Sequence, residues 1–105
     1  MHARIARYAF SGDAHELAQR AEEEILPILK ARPGFKTYFL VQSGGEILAY
    51  SAWETAEAAE SASPIVAEWV TETMSDDIEL KEIMIGEVLV ATALALLAPL
   101  YLPWL

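Results

Sequence analysis

His15 is the residue whose chemistry stands out first, because it is the only histidine away from the N-terminus. Imidazole titrates near neutral pH, so His15 could serve as a general base at the mouth of a pocket. It lies just after Asp13, in the first turn of a predicted helix. No paired nucleophile can be named for it, and this favours the ordinary alternative of a solvated histidine at a helix start. His15 is therefore the one catalytic candidate, with no partner assigned.

Aromatic side chains are the second group that could carry function. They are candidates for lining a ligand pocket, since such pockets are mostly apolar and aromatic. Aromatic residues also dominate the cores of small domains, and a core role is the simpler interpretation of the tryptophans. Five residues belong to this group: Tyr8, Tyr38, Tyr50, Trp53 and Trp69.

Arg4 and Arg7 lie in the first predicted strand, where a covered face forces a charged side chain to find a partner. That partner is either a carboxylate or an anionic ligand. The chain contains 13 Glu, so a salt bridge is the more economical explanation. Both alternatives stay open at this point.

Several chemistries are excluded by composition. There is no cysteine, which removes disulfides, Cys-ligated zinc and thiol catalysis. Glu22, Glu23 and Glu24 point in different directions around a helix, and the adjacent Asp76 and Asp77 lack the spaced ligands of a calcium loop. We predict neither a metal nor a cofactor. Net charge of −9 argues against nucleic-acid partners, which need a basic surface.

The chain has 105 residues, enough for one domain with a thin core. Its first residues reach a charge at Arg4 without a long apolar run, so a secretory signal is not indicated. We therefore expect a cytoplasmic protein.

The first half of the chain predicts a strand, a helix and a hairpin. Residues 3–10 form a strand-sized run, and Asp13 begins a helix that Pro27 should kink near its end. The glycine pair at 44–45 joins strands over residues 35–42 and 47–53. The first of these strands is apolar on successive positions, so both of its faces are expected to be buried by neighbouring structure. One layer of helices covers only one face, so the pattern favours a homodimer.

The second half predicts helices and a last strand. Thr55 can cap a short helix over residues 56–62, and Ser63-Pro64 resembles a new helix start that runs to about Met74. Residues 80–90 resemble a strand in which Gly86 marks a bulge. The order is βαββαβ, an α+β ferredoxin-like sandwich with an antiparallel sheet.

The last segment differs in composition from the rest, so we divide the chain into a domain over residues 1–90 and an arm over residues 91–105. From Val88 onwards 18 residues carry no charge. As a helix, the final 15 residues would reach only about 22 Å across a bilayer core near 30 Å, and prolines interrupt them. An arm laid on a partner subunit is favoured over membrane contact.

Together these motifs resemble the antibiotic-biosynthesis-monooxygenase-like domains of the dimeric α+β barrel superfamily, over residues 3 to about 90. The resemblance is carried by residues 32–38, 44–45, 52–55, 67–70 and 85–88. It implies a homodimer in which two sheets face each other, the same arrangement that the doubly apolar strand favours.

The chemical residues of that superfamily do not carry over. The haem-degrading members use Asn, Trp and an axial His, and this chain has no Asn and no His within residues 60–75. The best-known aromatic-oxidising members use Asn, Trp and Tyr, and again Asn is missing. A cofactor-independent oxygenase needs little beyond a dry cavity and a group that deprotonates or holds the substrate. The resemblance therefore leaves enzyme activity open without assigning its residues.

Three functions follow as hypotheses. By resemblance, the protein is a cofactor-independent monooxygenase for a small quinol-like or polyketide-like aromatic. The first alternative is a non-catalytic dimeric domain that binds an aromatic or apolar ligand or is purely structural. The second alternative is an interaction module that docks through its apolar C-terminal arm.

Overall fold

A four-stranded antiparallel sheet with helices against one face forms the fold in the computed structural model, which describes residues 1–74 and 76–92. The strand order in the sheet is β2-β3-β1-β4. The predicted βαββαβ sandwich is confirmed. Its strands are β1 (His2–Phe10), β2 (Phe35–Ser43), β3 (Glu46–Trp53) and β4 (Ile78–Glu87), and its helices are α1 (Ala14–Arg20), α2 (Leu26–Lys30) and α3 (Ala56–Met74).

The first helical region begins at the predicted cap, since Asp13 accepts hydrogen bonds from the backbone N–H groups of His15 and Glu16 at 2.9 and 3.1 Å. A π-helical segment (Ala21–Ile25) separates α1 from α2 and ends just before Pro27. Pro27 has no N–H to donate, and the wider turn before it lets the helical region continue.

Two glycines adopt the left-handed backbone that the turns around β2 require. Gly34 has φ of 85° between α2 and β2, and Gly44 has φ of 59° in the hairpin between β2 and β3. Residues with a Cβ atom are disfavoured in this region. The predicted helix stop and hairpin are both confirmed.

The prediction of two helices over residues 56–74 is wrong: α3 runs through Pro64 without a break. Thr55 does cap the start, accepting from the N–H of Ala58 at 3.1 Å. The helix continues because Ala62 and Val66, on either side of the proline, are both buried in the core. Their packing offsets the hydrogen bond that Pro64 cannot make.

The bulge in β4 lies at Lys81, and the prediction that Gly86 marks it is wrong. Gly86 pairs regularly with Ala3, whereas the pairing with β1 shifts by one residue after Glu82 and skips Lys81. The extra residue reverses the alternation of side chains. As a result Leu80 and Ile83, which are an odd number of positions apart, lie on the same face of the sheet.

The two faces of the sheet have different surroundings. The helices cover the face that carries Ala6, Tyr8, Ile47, Ala49 and Trp53, all of them buried. We call the other side the open face; its large apolar side chains are those of Ile5, Phe39, Val41, Leu48, Tyr50 and Met84. Phe39 and Val41 are each 48% exposed there. The apolar character on both sides of β2 is thus confirmed.

The predicted C-terminal arm, residues 91–105, lies outside the described residues except for its first two positions. Across residues 1–74 and 76–92, no helix is long and apolar enough to cross a membrane.

Candidate functional site

A cleft of about 370 Å³ opens between α3 and the edge strand β4, and we call it the α3–β4 cleft. Its walls are mainly apolar and its floor is formed by polar side chains of β1. Leu80 and Ile83 form the β4 wall and remain 50% and 38% exposed. Ligand pockets in proteins measure roughly 300–1,000 Å³, so the cleft suits a small organic molecule. Its lining comprises Arg4, Tyr8, Ser63, Ala67, Val70, Thr71, Ile78, Glu79, Leu80 and Ile83.

Arg4 lies on the floor of the cleft with only 3% of its surface exposed. Its Nε donates a hydrogen bond to the Ser63 hydroxyl of α3 at 2.9 Å. Among the residues that the structure describes, no ion pair involves Arg4. Burial of a guanidinium costs free energy unless an acceptor compensates its charge. The floor of the cleft therefore favours binding of an anion or a strong hydrogen-bond acceptor.

Arg7 shows the other outcome that the sequence left open. Three residues further along β1 it points to the open face, where it pairs with Glu46 at 2.5 Å and with Glu82 at 3.8 Å. The salt-bridge explanation therefore holds for Arg7. Arg4 instead donates its hydrogen bond to the neutral hydroxyl of Ser63.

Two tyrosines share the surroundings of Arg4 on the helix face. Burial raises the pKa of Tyr8, although the nearby Arg4 guanidinium opposes this rise. Burial also raises the pKa of Tyr38 to about 12, with a further contribution from Tyr8. Both phenols therefore carry their protons at neutral pH and can donate hydrogen bonds.

Tyr8, Tyr38 and Trp69 also line a small inner cavity of about 20 Å³ between the sheet and the helices. A volume of this size holds about one water molecule. The Trp69 indole N–H donates to Glu24 Oε1 at 3.0 Å, and this bond holds the pKa of Glu24 below its usual range. Trp69 therefore connects α3 to the π-helical segment while its ring borders the inner cavity.

The other two aromatic candidates lie elsewhere. Trp53 is fully buried in the core, where its indole N–H donates to Ser51 Oγ at 2.9 Å and its ring meets Phe35 edge-on. Tyr50 lies on the open face and stacks on Phe39, with ring centroids 5.4 Å apart. The five aromatic residues therefore do not converge on one site.

His15 borders a separate groove of about 160 Å³ between α1 and the β2–β3 hairpin strands. It is exposed, and its backbone N–H is held by the Asp13 cap. The structure does not bring His15 together with Arg4 and Tyr8 in the α3–β4 cleft.

The rim of the cleft is acidic. Glu79 lines it and accepts from Lys81 Nζ at 2.7 Å, and this hydrogen bond lowers the pKa of Glu79. No group of three or more potential metal ligands occurs within residues 1–74 and 76–92.

Ser63, Leu80 and Ile83 are cleft residues that the sequence pattern does not predict. The pattern predicts Ser63 as a helix cap. A signal for the β4 wall was present: the apolar positions 78, 80, 83 and 85 change parity between 80 and 83, which is the pattern of a bulged strand.

The fold resembles those of several solved structures. MupZ from Pseudomonas fluorescens superposes with a TM-score of 0.67 at 12% identity, over 97% of this chain and 79% of that one. SnoaB from Streptomyces nogalater, a cofactor-independent oxygenase, gives a TM-score of 0.67 at 14% identity, over 86% of this chain and 94% of its own. A protein from Nitrosomonas europaea proposed to be an antibiotic biosynthesis monooxygenase gives 0.66 at 20% identity, over 86% and 100% of the two chains.

These comparisons confirm the predicted resemblance at the level of the fold, which is the ferredoxin-like fold of antibiotic-biosynthesis-monooxygenase-type proteins. No family model matches the sequence, and no curated protein matches it. At these identities the likeness carries the fold alone, and function must be argued from the site.

Proposed function

We propose that this protein is a cofactor-independent oxygenase of small aromatic compounds and that the α3–β4 cleft is its substrate site. The observation that carries the proposal is the placement of Arg4 and Tyr8 on the floor of a mainly apolar cleft. An apolar cleft binds the rings and limits water, and the polar floor stabilises negative charge on a substrate oxygen. The shared fold with SnoaB, itself a cofactor-independent oxygenase, supports the assignment.

The chemistry is an oxidation in which the substrate supplies all the electrons. An aromatic CH₂ group and O₂ become a carbonyl group and water: one oxygen atom enters the carbonyl, and the other leaves with the two hydrogens. The four electrons that reduce O₂ come from the substrate carbon. The reaction starts when the substrate loses a proton to solvent water at the mouth of the cleft and its charge moves onto a conjugated oxygen. Arg4 and the protonated Tyr8 stabilise that anion and so lower the pKa of the bound substrate.

Oxygen uptake with anthrone tests this proposal. Anthrone, O₂ and the full-length protein should give anthraquinone and water in equal amounts, faster than the uncatalysed autoxidation. Tyr8→Phe removes a donor to the oxyanion and should lower kcat by about tenfold or more. His15→Ala is the matched control, since His15 borders a different groove, and it should leave the rate unchanged. A rate equal to the uncatalysed one would refute the proposal.

Ligand binding without turnover is the second candidate. The observation that favours it is that Tyr8 and Tyr38, the phenols nearest Arg4, hold their protons at neutral pH, so neither is a base that takes a proton from a substrate. Binding of aromatic compounds in the cleft without oxygen uptake would select this function.

We also propose that the protein acts as a homodimer in which the open faces of two sheets pack together. The open face exposes large apolar side chains, among them Phe39, Val41 and Met84, and exposed apolar patches of this kind mark interfaces. The arrangement agrees with the dimer that the family resemblance implies. It leaves the α3–β4 cleft, on the opposite face, accessible from solvent.

A further inference from the structure

We propose that the α3–β4 cleft selects small aromatic acids that enter already as anions, and that Arg4 is the residue that recognises the acidic group. This inference rests on the proposed function only in taking the cleft as the substrate site. It adds the chemical class of the ligand, which the fold does not specify.

Charge balance on the helix face favours an anionic ligand. Arg4 is the buried charged residue there, and its neighbours are neutral: Ser63 accepts from its Nε, and Ser51 lies directly opposite it on β3. Within residues 1–74 and 76–92, none of the ion pairs includes Arg4. A carboxylate or phenolate oxygen on the ligand supplies the countercharge that the described residues do not.

Proton transfer also favours a ligand that is already charged. A neutral ligand can pass a proton only to solvent, because no described lining residue is placed to accept it. Tyr8 is protonated at neutral pH, and the Glu79 carboxylate is engaged by Lys81 at the rim. His15 borders another groove. A ligand that arrives as an anion needs no base in the cleft.

The apolar wall of the cleft also sets the orientation of the ligand. The exposed apolar surfaces of Leu80 and Ile83 lie along one wall, and Val70 of α3 lines the same cleft. Apolar rings bind to this wall, which frees its surface from water. With the rings on this wall, the acidic group is directed to the floor and to Arg4.

The test compares 2-naphthoate with its neutral near-isostere 2-naphthamide, titrated into the full-length protein by isothermal calorimetry. The two probes share the same rings and differ in the charge of the head group. Wild-type protein should bind naphthoate at least about tenfold more tightly than naphthamide, because a charge-assisted hydrogen bond is worth more than a neutral one.

Arg4→Met should reduce that preference to within about twofold, since the remaining contacts are to the rings. Arg7→Met is the matched control: it removes the same residue type from the same strand on the open face and should keep the preference. Absence of naphthoate binding to the wild type, or a preference that survives in Arg4→Met, would overturn the proposal.

A second variant covers the case in which Arg4→Met does not fold. Leu80 is half exposed, so Leu80→Asp is tolerated and places a carboxylate on the cleft wall. It should weaken naphthoate at least about tenfold more than naphthamide. Equal weakening of both probes would contradict the inference.

The two proposals fail separately. Naphthoate has no oxidisable CH₂ group, so its binding reports recognition of the anion alone, whereas anthrone oxidation reports catalysis. Loss of the naphthoate preference with intact oxygen uptake would remove this inference and leave the oxygenase assignment. Naphthoate preference without oxygen uptake would do the reverse.

Discussion

The two arginines of β1 show how position in a strand decides the role of a residue. Arg4 and Arg7 are chemically identical and lie three positions apart, so they face opposite sides of the sheet. On the open face Arg7 pairs with two glutamates, and on the helix face Arg4 donates to the neutral hydroxyls of Ser63 and Tyr8. The same residue type therefore contributes a surface ion network in one case and a candidate recognition group in the other.

Tyr38 carries a testable pH dependence. Its pKa is raised from 10.0 to about 12 in the folded protein, chiefly by burial. The unfolded chain therefore loses this proton first as the pH rises. The associated stability is fully present below pH 10 and is lost as the pH rises through about 12. Tyrosinate absorbance should show a late titration step that is smaller in Tyr38→Phe than in the wild type, and Tyr8, whose pKa burial also raises, contributes to the remainder. A late step of undiminished amplitude in Tyr38→Phe would contradict the assignment.

Gly34→Val should destabilise the fold by about 1–3 kcal/mol, because a β-branched residue is strained at positive φ. The Gly34 backbone has φ of 85°, and a Cβ atom there would lie 3.2 Å from the Cβ of Ala58. Urea unfolding measures the effect. Gly86→Val is the control, since a Cβ at Gly86 meets nothing within 4 Å. Equal stability of Gly34→Val and the wild type would show that the turn tolerates a side chain.

At the scale of elements, Pro64 is the feature that sequence reasoning misjudged. A proline after a serine resembles a helix start, and the local signal is sound. The core outweighs it, because Ala59, Ala62 and Val66 are buried only if the helix continues through residue 64. Sequence reasoning weighs local propensity and cannot weigh packing between elements that are distant in the chain.

Replacing Pro64 tests this account. Pro64→Ala restores a backbone donor inside α3 and should raise the free energy of unfolding, by up to about 3 kcal/mol. Pro33→Ala, in the turn before β2, is the control: it frees the unfolded chain and should lower stability slightly, by about 0.4–1 kcal/mol. Thermal unfolding followed by circular dichroism separates the two. A destabilised Pro64→Ala would mean that the helix depends on the proline.

The site was harder to predict than the elements that build it. The four strands and the first helical region follow from hydrophobic periodicity, caps and glycines, which are local signals. The cleft depends on which residues of β1, α3 and β4 meet, and on the bulge at Lys81 that turns Leu80 and Ile83 to the same side. Of the aromatic residues that the sequence predicts to line a pocket, Tyr8 lies in the cleft, whereas Tyr50 faces away and Trp53 is in the core.

At the scale of the whole molecule, the proposed dimer makes a prediction for the open face. Val41→Lys should weaken self-association by about tenfold or more, because it places a charge in an apolar interface. Ile28→Lys is a matched control, since Ile28 is exposed to the same extent, 48%, but lies on α2. Sedimentation velocity across a dilution series measures both. A Val41→Lys protein that associates as tightly as Ile28→Lys would exclude the open face as the interface.

The bulge at Lys81 also affects how accurately β1 pairs in its native register during folding. A slip of one residue would turn Ala3, Ile5 and Arg7 towards the helices in place of Arg4 and its neighbours. The two alternating sets have similar composition, so hydrophobicity alone discriminates weakly between them. A bulge matches its partner strand at one position only, and it penalises every slipped pairing. Deleting Lys81 should therefore yield misregistered chains in which the guanidinium on the helix face lacks the Ser63 hydroxyl, and the yield of native protein on refolding from urea should fall.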